Sequence, residues 1–100
     1  MNENLQWELN EIIVQLNSLG KFNESNSELL EAIYEERLKP IADLLRKADA
    51  DRYNTVPYLI SEMDEKIDFM LNGKSGETKK QNYNDAKDYL LNAVYRLVRN

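Results

Sequence analysis

The sequence contains no cysteine and no histidine. Without cysteine there is no disulfide framework and no thiol nucleophile. With neither residue, the usual zinc ligands and the commonest general base are missing too, and only oxygen-ligand metals such as magnesium or calcium remain open. Three glycines and two prolines leave little material for hairpins. No apolar run approaches the roughly 20 residues of a membrane span. The opening MNENLQWELNE has no basic region followed by an apolar stretch, so we expect no secretion signal and a cytoplasmic protein. Basic side chains are outnumbered 13 to 18, a net charge of −5. Such a surface repels a phosphate backbone unless its cations cluster, and only Lys79-Lys80 and Arg46-Lys47 are adjacent pairs. Nucleic acid is not an expected partner.

What the sequence does have is apolar residues at helical spacing. One hundred residues suit one domain, with roughly 60–70% of the unfolded chain's surface buried on folding. A first helix is expected from about Asn4 to Leu19, with Leu5, Leu9, Ile12, Ile13, Leu16 and Leu19 on one face. Gly20 would follow it in a left-handed conformation. Ser25 and Glu28 fit a capping box for a second helix from about Asn26 to Asp49, with Leu30, Ile33, Tyr34, Ile41, Leu44, Leu45 and Ala48 inward. Pro40 interrupts its hydrogen bonding. The apolar stripe holds its phase across the proline, which favours one kinked helix over a break near Leu38–Pro40.

DADRYNTV reads as a linker, and Pro57 suits the start of a third helix, Val56–Asn72. Its inner face is Val56, Leu59, Ile60, Met63, Ile67 and Met70, and Asn72-Gly73 would end it in a left-handed turn. Thr78 with Gln81 can cap a fourth helix to about Arg99, with Tyr83, Ala86, Leu90, Ala93, Val94 and Leu97 inward. Four such helices with short polar loops form an all-α, antiparallel up-down four-helix bundle.

Three features invite a chemical reading. Gly73-Lys74-Ser75 resembles the end of a phosphate-binding loop, but that loop needs glycine five residues earlier, where Asp68 stands, and a preceding strand, where IDFML continues a helical stripe. Turn chemistry is the better account. Glu28-x-x-Glu31 and Glu65-x-x-Asp68 resemble the paired carboxylate motifs of the all-α nucleoside-triphosphate pyrophosphohydrolases. That resemblance implies a magnesium-dependent hydrolase with Glu28, Glu31, Glu65 and Asp68 converging on the ion. The same spacing recurs at Glu8/Glu11, Glu62/Glu65 and Asp85/Asp88, so a solvated acidic face is preferred and no cofactor is expected. Arg37 falls on the inner stripe of the second helix, where an ion-paired head at the bundle edge is preferred to one entering a pocket.

The outward aromatics carry more. On a helical wheel Trp7 and Val14 stand opposite the core stripe of the first helix. Tyr58 and Phe69 point away from that of the third, beside Glu62 and Glu65. Leu91, Tyr95 and Val98 flank the stripe of the fourth. Aromatics among carboxylates have the composition of a protein-binding surface. In size and helix order, with SELLEAIYEERLKPIADLLRKA, then YNTVPYLISEMDEKIDFML, then a long last helix, the chain resembles small bacterial immunity proteins against bacteriocins and related toxins. The resemblance implies a non-enzymatic protein that neutralises a toxin or shields its receptor, while the acidic, aromatic-bearing surface suits a basic protein as the partner it inhibits. Self-association into a homodimer is the other use of such a surface.

Overall fold

The structure, a computed structural model, describes residues 2–99. It contains α1 (Glu3–Ser18), α2 (Glu24–Ala32), a π-helical segment (Ile33–Leu38), α3 (Lys39–Ala48), α4 (Val56–Asn72) and α5 (Gly76–Arg99), with no strand among the described residues. α2, the π segment and α3 follow one another without a gap and make one bent rod. The molecule is therefore an all-α four-helix bundle, and the second helix is kinked rather than broken. α1 packs on the π segment and on α5, α5 packs on α4, and α4 packs on α2 and α3. Each rod thus lies beside its neighbours in the chain, and α1 and α4 occupy opposite corners.

The bend has a local cause. Proline has no N–H, and its ring crowds the carbonyl four residues back. Pro40 sits in the first turn of α3, where neither matters to the helix that follows. Just upstream the turn widens, and the Lys39 amide donates to the Tyr34 carbonyl, five residues back. The extra residue per turn changes which side chain faces inward. Leu38 is fully buried, whereas Arg37, which a regular helix would turn to the core, moves to the bundle edge.

The helix ends differ from the expected caps. α2 starts at Glu24, because Asn23 in an extended conformation accepts the Asn26 amide at 2.7 Å through its side chain. Ser25 is simply inside the first turn. Likewise Ser75, not Thr78, caps α5, its Oγ accepting the Thr78 amide at 3.1 Å. No described residue has a positive φ, so neither Gly20 nor Gly73 is left-handed. α1 ends at Leu19 with φ −65° and ψ 132°, and α4 ends at Gly73 with φ −60° and ψ 151°. What Gly73 supplies is space: a Cβ there would lie 2.5 Å from the Phe69 carbonyl oxygen.

The core runs the length of the bundle through Leu9, Ile12, Leu16, Leu30, Tyr34, Leu38, Met63, Met70, Tyr83, Leu90 and Val94, each almost wholly removed from water. Each such aliphatic side chain contributes about 1.5–3 kcal/mol relative to an exposed one. Tyr53, within the expected linker, is buried as well and closes one end of the core. Leu44 was expected inside and is instead 55% exposed. At the other end the Tyr83 hydroxyl donates to the Gly20 carbonyl at 2.7 Å, fastening α5 to the α1–α2 turn.

Candidate functional site

The residues read as a protein-binding surface are all accessible: Tyr58 is 65%, Trp7 60%, Val14 57%, Phe69 46% and Tyr95 39% exposed. They do not form one surface. Trp7 and Val14 lie on the outer side of α1, while Tyr58, Glu62, Glu65 and Phe69 lie on the outer side of α4, at the opposite corner. Tyr95 lies on α5 beside the half-buried Leu91 and Val98, on a different flank from the Tyr89, Ala93 and Arg96 that meet α4. Helix phase separates inward from outward. Which outward faces are neighbours depends on how the rods are arranged.

The α4 face is the richer of the two. Tyr58, Glu62, Glu65 and Phe69 recur at four- and three-residue steps, so they follow one another along a single outward stripe. Beside Tyr58 an open cleft of about 390 Å³ runs between α4 and α5, lined by Tyr89, Ala93 and Arg96. Lys66 approaches Glu62 at 4.0 Å and lies 5.6 Å from the Tyr89 ring centroid. Burial pushes the Tyr89 phenol up, the nearby Tyr58 and Glu62 push it the same way, and Arg96 opposes them. The face is thus an aromatic strip bordered by carboxylates, with Lys66 drawn in against the Tyr89 ring.

The α1 face gains a member that the sequence hid. Leu29, 53% exposed, joins Val14, Leu19 and Ile33 around a shallow groove of about 270 Å³ between α1 and α2. Its only signal was a second leucine beside Leu30 that does not fit the core stripe.

Other candidates resolve without a site. Among the described residues no three His, Cys, Asp or Glu side chains gather as a metal-binding group. Glu28, Glu31, Glu65 and Asp68 therefore do not converge, and Asp68 instead accepts from the Asn72 side chain at 3.0 Å. Arg37 Nη2 donates to Glu8 Oε2 at 2.7 Å, an ion pair across α1 and the π segment. Lys74 lies exposed in the α4–α5 turn, and the Ser75 hydroxyl is used as a helix cap. No helix among the described residues is long and apolar enough to cross a membrane. The chain matches no protein-family model, no curated protein and no solved structure.

Proposed function

We propose that the protein is a non-enzymatic binding module of the inhibitor or immunity type, which neutralises a basic protein by occupying its surface with the outer face of α4. The observation that carries this reading is the stripe on which Tyr58 and Phe69, 65% and 46% exposed, bracket Glu62 and Glu65. Aromatic rings bury much area for little lost side-chain entropy and supply affinity, while carboxylates around them attract a cationic partner and fix its register. An anionic surface of this kind covers a basic active site without needing chemistry of its own.

The test is affinity capture from the host, followed by identification and activity assay of what is held. The expected partner is a basic protein retained in one-to-one ratio and inhibited while bound. Tyr58→Ala and Phe69→Ala should each weaken that complex by about 30-fold, corresponding to about 2 kcal/mol for an aromatic anchor. Trp7→Ala, on the opposite corner, should leave it within a factor of about two, since near-neutral sites contribute little. A partner that is held equally well by all three variants, or held without loss of its activity, would sink the proposal.

A further inference from the structure

In this acidic chain, one cavity has lysines as its only charged lining residues. Lys21, Lys80 and Lys87, with Asn84, Phe22 and the Gly20 backbone, surround an open cavity of about 660 Å³ between the α1–α2 turn and the first half of α5. No carboxylate lines it. Lys80, Asn84 and Lys87 share one side of α5 by their four- and three-residue spacing. The fold brings Lys21 to them from the far end of the sequence. Among the described residues none of the three lysines is in an ion pair; the pairs involve Arg37, Lys39 and Lys66.

The turn that carries Lys21 and Phe22 is held in place by its own contacts. The Tyr83 hydroxyl donates to the Gly20 carbonyl at 2.7 Å, and the Asn26 side-chain amide donates to the Lys21 carbonyl at 2.7 Å. Phe22 meets the Tyr83 ring edge-on, with centroids 5.7 Å apart. Lys87 Nζ lies 5.5 Å from the Tyr83 centroid, where the ring face orients the ammonium without neutralising it. No lining carboxylate offsets the charge of the three lysines, and an anion among them would do so. Because the turn is fastened, the ordering cost of binding falls on the lysine side chains rather than on the backbone.

We infer that this cavity binds a small polyphosphate-bearing anion, of the size of a nucleoside triphosphate. Three lysines call for several negative charges: orthophosphate concentrates its charge at one point of a cavity of about 660 Å³, and a monocarboxylate carries a single charge. A phosphate chain carries several charges along a few ångströms and answers all three. The site is separate from the α4 face and does not depend on the function proposed for it.

The experiment is calorimetric titration of the full chain, at low salt and without metal, with inorganic tripolyphosphate, ATP and orthophosphate. Tripolyphosphate is expected to bind saturably at one site, and orthophosphate much more weakly. Lys80→Gln/Lys87→Gln should weaken tripolyphosphate by about tenfold or more, the combined effect of two partly exposed charge-assisted contacts. Arg46→Gln/Lys47→Gln removes the same charge at the other end of the bundle and should change affinity by no more than about twofold, as screened remote charges do. ATP binding more tightly than tripolyphosphate would extend the site to the base, beside Phe22, and equal affinity would confine it to the phosphates. Absence of saturable binding, equal losses in the two double variants, or orthophosphate binding as well as tripolyphosphate would each overturn the inference. Amide shifts in the unaltered protein give a second reading that needs no variant: they should centre on Lys21, Phe22 and the Asn84 side chain, and changes centred elsewhere also overturn it.

Discussion

Replacing Tyr34 with phenylalanine removes one oxygen from the centre of the contact between the bent rod and α4. The ring is fully buried, and its hydroxyl lies 2.7 Å from Asp64 Oδ1 and 3.2 Å from the Ile60 carbonyl. A single proton serves one acceptor well, and the shorter, charged contact is the stronger. A hydrogen bond to an ionised group contributes about 1.5–3 kcal/mol. Here the value belongs at the low end, because the Asp64 side chain is 48% exposed and keeps both water and Lys39, at 3.4 Å, when the hydroxyl is gone. Ile60 lies inside α4, so its carbonyl keeps its helical partner. No methyl-sized hole is left. We therefore expect Tyr34→Phe to lose about 1.5 kcal/mol. For a domain of this size that is a fall of about 6–12 °C in Tm, or about 1 M in urea midpoint. A double-mutant cycle with Asp64→Ala isolates the contact, and its coupling energy should be about 1 kcal/mol. If the two substitutions add to within about 0.3 kcal/mol, the hydroxyl and carboxylate do not stabilise one another and the assignment is wrong.

Leu38→Ala should cost about 2–5 kcal/mol as a core truncation, whereas Arg37→Ala should cost about 0.2–1 kcal/mol, since its pair with Glu8 is partly exposed and screened. Chemical denaturation of both variants checks this, and the reverse order would mean that the turn is not widened there. Gly73→Ala forces a Cβ against the Phe69 carbonyl and should lose about 1–3 kcal/mol; an unchanged Tm would show that the α4–α5 turn relaxes freely. Burial, first among the causes, raises the phenols of Tyr34, Tyr83 and Tyr89. A raised folded-state pKa favours the neutral phenol, so this contribution to stability is complete below the ordinary value near 10. It is lost as pH climbs above that value towards the folded-state pKa. Phenolate absorbance, taken as the difference between the unaltered protein and Tyr34→Phe, should develop only with loss of helical ellipticity; its appearance in a fully helical protein would contradict the burial argument.

The bundle was legible because each rod carries its own record of what faces inward: Leu9, Ile12 and Leu16, or Met63, Ile67 and Met70, need no knowledge of the rest of the chain. Two kinds of feature were not. Caps depend on which of several competent side chains takes the extended conformation, and Asn23 and Ser75 won over Ser25 and Thr78 by geometry that no composition rule ranks. Adjacency between rods is the other. Trp7 and Tyr58 read alike on their own helices, yet sit at opposite corners. Lys21, Lys80 and Lys87 are unremarkable in sequence and meet only through the pairing of α1 with α5. Leu38 was not read as a core residue, because an i→i−5 turn breaks the period on which the wheel relies.

That wide turn also bears on how the chain tolerates changes of length. Removing one residue from an ordinary buried helix rotates everything beyond it by about 100° and turns its apolar side to water. Between Ile33 and Leu38 the chain already holds one residue more than an α-helical path over the same rise requires. Deleting Arg37 would let the segment close to α-helical spacing, with Leu38 still reaching the core and α3 keeping its facing. The cost would be the edge contact with Glu8. The bundle thus carries a slot where a single-residue deletion can be absorbed, and the same deletion at Leu9 or Met63 cannot.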